Sequence, residues 1–553
     1  MKLRANLPNI IAWALSGVIS FFALSFFQNF YTSYWALIFF TVLLNTVFTL
    51  VFAIVLETVI SRLKEKIIPI AILCLGVLLF PLTLRLLNQY PTLLGVALIP
   101  ARNTIPTFLV LTILSSMWTI HLIHKLDSTN WRSSTIAIWI KRNFPGLLLA
   151  SAISASAYAL GTTITSPDLH LADNYFDTDS PIWVNFLTAN RDQVMSMRAV
   201  HPYALMLLRP QVWLLSILMY GDKFHATILL NALYGGACVF LAWLFFKRRT
   251  NNTTYALIIA ALLGLSNSHL LLSSFLESYI FSAAMLVASV VILQNKDAKL
   301  IHVIPVGLIT FGITITNFIQ TCITFFLTQW SIKKTFKYVS ITIVLATILT
   351  FTQTLLQPNS QPFYIPSNIG NESVFKREVV GVPLSETISR VNVITRTMTL
   401  FSVVAPRPLI LLEEIGCSTP CFNTIRFFRG EYQYASYIGF GSWLARLWFL
   451  LLVIAALIFI WNLFRNPRNS ALQAALVLNL LFNFVLHMNY GDDPMLYSPN
   501  WTYALVFFVG ISYEKMADKK WFQVGLLIFL TALLFNNVEL FHKILDAILP
   551  FFG

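Results

Sequence analysis

IIAWALSGVISFFALSFF, residues Ile10–Phe27, is the stretch that decides the fold. It carries no charge, and a helix of this length, rising about 1.5 Å per residue, reaches across most of a hydrocarbon core about 30 Å thick. Lys2 and Arg4 precede it as they would a secretory leader. No small-residue cleavage site follows, however, and another apolar run opens at Trp35, so it reads as a retained first helix. Similar runs recur to the end of the 553 residues, of which 57% are hydrophobic and 11% charged, with a mean hydropathy of +0.73. In lipid the backbone must pair its own N–H and C=O groups, so the expected class is an all-α polytopic membrane protein with no soluble domain of ordinary size.

A formal net charge of +14 could suggest nucleic acid. The basic residues are instead dispersed between spans, the pattern of cytoplasmic loops, so the bilayer is the expected partner and nucleic acid is not. With the N-terminus in the cytoplasm, the inner side receives Lys2, Arg4, Arg62, Lys64, Lys66, Lys141, Arg142, Lys247, Arg248, Arg249, Lys333, Lys334, Lys515, Lys519 and Lys520, among others of the 37 Lys and Arg. The expected spans are 9–27, 35–60, 67–87, 104–124, 145–163, 224–246, 254–272, 278–294, 338–356, 440–463, 470–488, 496–513 and 521–538. Residues 301–332 lie between two basic segments and are too short for two full crossings, which implies two short helices turning near Thr316-Asn317. The bland alternative is one long span with the following topology inverted. The total is about 13–15 membrane helices, with no internal repeat.

Two outer segments, 162–223 and 357–438, are large enough to carry function. The first holds Asp168, Asp173, Asp177 and Asp179, followed by Arg198-Ala199-Val200-His201-Pro202-Tyr203. Ser180-Pro181 reads as an N-cap with proline at the first helical position, which puts Asp179 where the helix dipole favours a carboxylate. A second, interfacial helix follows Pro202 and is interrupted at Arg209-Pro210. In the other segment, Ile388, Val391, Ile394, Met398 and Phe401 share one face of an expected headgroup-plane helix, with Arg390 and Arg396 elsewhere on its surface. Cys417 and Cys421 could close a small disulfide loop, whereas Cys74, Cys238 and Cys322 read as apolar residues of the spans. Asn371-Glu372-Ser373 and Asn500-Trp501-Thr502 are sequons that occur by chance.

Carboxylates just outside a membrane helix can act as a general base on an incoming hydroxyl or amine while cations hold a lipid phosphate leaving group. Asp177-Thr178-Asp179 followed by Ala199-Val200-His201-Pro202-Tyr203-Ala204-Leu205, then Ser273-Ser274-Phe275-Leu276-Glu277-Ser278-Tyr279, gives an order of parts that resembles the GT-C superfamily of membrane glycosyltransferases. That superfamily includes the protein O-mannosyltransferases and the aminoarabinose transferase of lipid A. The resemblance covers about residues 145–340. It implies N-terminal helices over 1–142, a GT-C-like catalytic core over 143–356, the outer loop 357–438 and C-terminal helices over 439–553. Four extra spans precede the helix that would be first in the family.

The implied reaction is inverting transfer of a sugar from a polyprenyl-phosphate donor to a glycan, lipid or protein acceptor at the outer face. Asp179 or Asp177 would be the base, and either could instead be a helix-cap carboxylate. Arg198, Arg209, Arg390, Arg396 and Arg407 are candidate phosphate ligands. His201, Glu277, His487, Asp492, Asp493 and Tyr497 would complete the pocket, the last four lying in the Gly- and Pro-rich turn before Trp501. No cofactor is required, and a divalent cation is an option because some relatives use one. Two other readings stand beside this. One is a polymerase or ligase of lipid-linked oligosaccharides that uses arginines of 357–438. The other is a transporter, against which the edge position of the acids and the missing repeat argue.

Overall fold

The computed structural model describes residues 2–60, 67–127, 129–165, 174–295, 297–378, 381–411, 420–428 and 431–552, so Asp168, Asp173 and Cys417 lie outside it. The protein is an all-α polytopic membrane protein. Its helices are α1 (Lys2–Gln28), α2 (Tyr34–Ile60), α3 (Ile67–Leu87), α4 (Ile105–Asp127), α5 (Thr135–Ile164), α6 (Ser180–Thr188), α7 (Ala204–Ile217), α8 (Lys223–Thr250), α9 (Thr253–Leu265) and α10 (Asn267–Ser274). They continue as α11 (Ser278–Leu293), α12 (Leu300–Ile313), α13 (Ile315–Gln329), α14 (Ile332–Leu356), α15 (Pro366–Gly370), α16 (Leu384–Arg396), α17 (Phe440–Arg465), α18 (Ala471–Met488), α19 (Pro499–Ser512) and α20 (Lys520–Phe552). Two small antiparallel pairs sit in the long connection before α17: β1 (Leu409–Leu411) with β2 (Cys421–Asn423), and β3 (Ile425–Phe428) with β4 (Glu431–Tyr434).

Among the described residues, ten helices are long and apolar enough to cross a bilayer, or eleven if α9 and α10, bent by 57° at Ser266, count as one span. The shortfall from 13–15 has a physical cause. The segments expected as spans at 278–294 and 496–513 fold into helices of 16 and 14 residues, and every residue of α19 is buried. A helix sheathed by other helices need not match the bilayer thickness.

The expected pair of short helices at 301–332 is present. Gly307, before the break at Thr314, lies against the Tyr338 hydroxyl, and Thr321, after the break, hydrogen-bonds that same hydroxyl at 2.9 Å. The two arms therefore fold back beside one another on α14, with Phe311, Phe318, Phe325 and Tyr338 packed between them. The turn comes two residues earlier than expected. There a Cβ on Gly312 would stand 2.2 Å from the Tyr203 ring, which is fully buried and donates its hydroxyl to Leu308 O at 2.7 Å. Gly312→Ala should therefore cost about 1–3 kcal/mol through overpacking, readable as a lower apparent unfolding temperature. An unchanged temperature would mean that the hairpin and Tyr203 do not pack this closely.

Helices α1, α2 and α4 pack mainly on one another, through Ala12, Phe52, Ala53 and Ile123 and through Leu24, Phe27, Leu37 and Phe108. Helix α3 instead joins the main core with α5, α8, α9, α11, α19 and α20. The boundary drawn at 142 falls inside α5, which starts at Thr135 with Ser134 as its N-cap, accepting from Ala137 N at 3.2 Å. Helix α7 leaves Trp213, Leu214 and Ile217 exposed, as an interfacial helix does. Cys421 is disulfide-bonded, and Cys417, its expected partner, lies outside the described residues.

Helix α16 differs from its expected pattern. Val393, Ile394, Met398 and Phe401 are buried, but Ile388 and Val391 are exposed and Arg390, expected on the surface, is buried with them. The packed face is rotated because Arg390 has backbone acceptors inside the protein, described below.

Candidate functional site

The segment between α5 and α8 and the segment between α14 and α17 meet at one end of the bundle. Asn174 O accepts from Phe422 N and Phe422 O accepts from Phe176 N, both at 2.7 Å, which ties the acidic turn to β2. The Tyr175 ring stacks on Phe275 at 4.6 Å and on Phe422 at 5.6 Å. Anchored on both sides, Phe176 and Asp177 adopt φ of 56° and 59° in succession. Asp tolerates this left-handed conformation, but Phe does so only when its surroundings impose it.

The turn presents its two carboxyl groups to different neighbours. Asp177 Oδ2 accepts from Asp493 N at 2.9 Å, and Asp493 in turn accepts from Thr424 N at 2.5 Å and Met495 N at 2.9 Å. Asp179 N donates to Glu277 Oε1 at 2.5 Å, and Glu277 Oε2 accepts from Ser278 N at 2.9 Å. Glu277, 1% exposed at the start of α11, thus holds the acidic turn by its backbone.

Asp179 itself, not Ser180, occupies the N-cap position of α6, yet its carboxylate makes no capping bond and has no hydrogen-bond partner among the described residues. The dipole of this nine-residue helix was expected to favour ionisation. Burial instead raises Asp179 above the ordinary carboxylate value, with Arg198 partly opposing the shift.

Burial and the neighbouring Asp493 push Asp177 up from 3.8 to about 6. The folded protein therefore holds a proton that the unfolded chain releases between these values. The stabilisation is complete below 3.8 and is lost as the pH rises through about 6. The apparent unfolding temperature of the wild type should accordingly fall relative to that of Asp177→Asn across this window. Parallel pH profiles of the two proteins would contradict the burial of this carboxyl.

Arg198 does not stand free in the site. Its Nε donates to Glu372 Oε1 at 3.0 Å, and its Nη2 reaches Glu372 Oε2 and also the Tyr490 hydroxyl at 2.8 Å, with the guanidinium 4.2 Å above the Phe375 ring. Burial raises Glu372, but the hydrogen bond and charge of Arg198 outweigh it and hold the carboxyl below its ordinary value. His201 Nδ1 lies 2.5 Å from Ile313 O at the hairpin turn, with Trp183 edge-on to the ring at 5.2 Å. Burial lowers His201 to about 4, so the neutral ring donates through Nδ1 and leaves Nε2 as an acceptor.

The turn before α19 is shaped by Arg390. Its guanidinium donates to His487 O at 2.7 Å, Gly491 O at 2.7 Å and Asp492 O at 2.9 Å, with a longer contact to Tyr490 O. Gly491 has φ of 80°, and a Cβ there would meet the Tyr497 ring at 2.5 Å. The Tyr497 ring packs on His487 at 4.3 Å and on Tyr279 at 5.0 Å. His487 Nε2 is buried without a partner among the described residues. Asp492 is exposed and pairs with Arg377, and Arg396 is exposed with its guanidinium 5.3 Å from the Tyr434 ring.

Asp177, Asp492 and Asp493 therefore share a cavity of about 510 Å³ with Lys376, Arg377, Arg390 and Arg426. Glu277 braces the turn beside it, and Arg396 is not among the residues that line it. Sequence reading missed Glu372, seen only as the middle of a sequon, together with Arg377 and Tyr279. Each gains meaning from a partner far away in the chain, and no local pattern marks it.

Among the described residues no three His, Cys, Asp or Glu side chains form a group that could hold a metal ion. Compared with known proteins, the chain matches no family model and no curated relative.

Proposed function

We propose that this membrane protein is a GT-C-type glycosyltransferase that moves a sugar from a polyprenyl-phosphate donor to an acceptor at the outer face, with its N-terminus in the cytoplasm. The observation that carries the reading is Asp177. It is a carboxylate held near a pKa of 6, with one oxygen free of hydrogen bonds among the described residues, on the wall of a cavity that also presents Lys376 and Arg377. The cavity shifts the preference for the base from Asp179 to Asp177.

In this reaction the acceptor oxygen attacks the anomeric carbon as Asp177 takes its proton. The bond from that carbon to the phosphate oxygen breaks on the opposite side, the configuration inverts, and polyprenyl phosphate leaves with its charge met by Lys376 and by Arg377, which the phosphate shares with Asp492. Asp179, whose carboxylate has no hydrogen-bond partner among the described residues, lies near enough to Arg198 for its ionisation to be affected and is suited to orienting the sugar or acceptor. His201, Glu277 and Tyr497 shape the surroundings.

The test is transfer of radiolabelled sugar from a synthetic polyprenyl-phosphate donor to membranes containing wild type, Asp177→Asn, Asp179→Asn or Arg377→Ala. Full activity in both aspartate variants would sink the base assignment. A second reading, polymerisation or ligation of a lipid-linked oligosaccharide, draws on the same cavity, because most of its wall comes from the segment between α14 and α17. Loss of transfer in Arg377→Ala alone would favour that reading.

A further inference from the structure

Away from Asp177, a second cleft of about 340 Å³ opens between α6, α7 and α14, walled by Leu187, Leu205, Met206, Trp213 and Leu356. Two of its lining residues are cations, Arg209 and Lys223, and none is acidic. Arg209 Nη2 donates to Ala189 O at the end of α6, whereas its Nη1 is buried and has no hydrogen-bond partner among the described residues. A guanidinium is always charged, and two cations with no acid among the residues that line the cleft favour an anion there. The border narrows the choice of anion. Trp213, Leu214 and Ile217 on α7 and Phe351 and Leu355 on α14 are exposed apolar side chains beside the cationic cleft, a combination that suits a phosphate carried on hydrocarbon and not a free phosphate.

We propose that this cleft binds an anionic bilayer phospholipid, with its phosphate on Arg209 and Lys223 and its acyl chains along α7 and α14. The site is independent of the glycosyl-transfer reading. Its consequence for the fold is to brace α6 and α7, the two helices whose N-terminal ends carry Asp179 and follow His201. A ligand that binds only the folded state stabilises it, so the full chain should resist thermal unfolding better with the lipid than without it.

The experiment is native mass spectrometry of the delipidated full-length protein titrated with phosphatidylglycerol. Diacylglycerol of the same chains serves as the phosphate-free control, and polyprenyl phosphate as the competitor. One phosphatidylglycerol should be retained, diacylglycerol should not, and Arg209→Gln with Lys223→Gln should weaken retention at least tenfold. Circular dichroism establishes that the variants are folded. If Arg209→Gln does not fold, Lys223→Gln alone, which leaves Arg209 and its bond to Ala189 in place, should still weaken retention severalfold. Equal retention by wild type and folded variants, or equal retention of diacylglycerol, would overturn the proposal. Displacement by equimolar polyprenyl phosphate would also overturn it, because the cleft would then belong to the donor.

Discussion

Asp177→Asn is expected to lower sugar transfer about 10³-fold while leaving the unfolding temperature at neutral pH unchanged or slightly raised. The substitution isolates the chemistry for two reasons. Asparagine adopts left-handed backbone readily, so the φ of 59° at this position is kept, and its side-chain oxygen can still accept from Asp493 N at the 2.9 Å the carboxylate now shows. Only the ability to take a proton is lost. The wild-type rate should rise as the pH passes through about 6, where Asp177 ionises, and the residual rate of the variant should lack that limb. Asp179→Asn should cost less, because a residue that orients a hydroxyl can do so as an amide. A variant with wild-type rates at every pH would remove Asp177 from the mechanism.

Arg390→Ala is expected to be the most destabilising single change in the loop-rich end, at about 3–5 kcal/mol. The guanidinium gathers the carbonyls of His487, Gly491 and Asp492 into one turn, and its removal takes the guanidinium donor from the buried carbonyls of His487 and Gly491. Arg390→Lys should rescue little, since a single ammonium cannot reproduce the planar fork that reaches several carbonyls at once. Thermal unfolding of the purified variants decides the matter. If Arg390→Ala were as stable as wild type but failed to bind donor, the residue would be a phosphate ligand and its carbonyl contacts incidental.

Much of the scaffold was legible in the chain, and each success has a local cause. The spans expected at 9–27, 35–60, 67–87, 104–124 and 145–163 fall on α1 to α5 because each is a long, mostly apolar run, and the hairpin of α12 and α13 follows from a run too short for two crossings between basic residues. The misses share the opposite cause. Helices α11 and α19 read as ordinary spans because hydropathy does not distinguish a lipid-facing helix from one sheathed by protein. Arg390 read as a surface residue because the amphipathic pattern of α16 treats any arginine as outward, and no periodicity reports acceptors nearly a hundred residues away. Arg198 was noted as a cation, but its partner Glu372 lies 174 positions along the chain.

By itself the sequence determined the solvent this protein lives in and the neighbourhood of its acidic turn, because the cost of placing backbone and charge in lipid acts locally along the chain. Only the tertiary structure decided what each charged side chain faces. The pairing of Asn174 and Phe176 with Phe422 carries Asp177 to the cavity wall, Glu277 takes the backbone N–H of Asp179, and Arg390 is buried in a turn of carbonyls. Burial and long-range partners govern ionisation and hydrogen bonding. The different surroundings of two aspartates two positions apart therefore depend on contacts made by segments about a hundred to three hundred residues away.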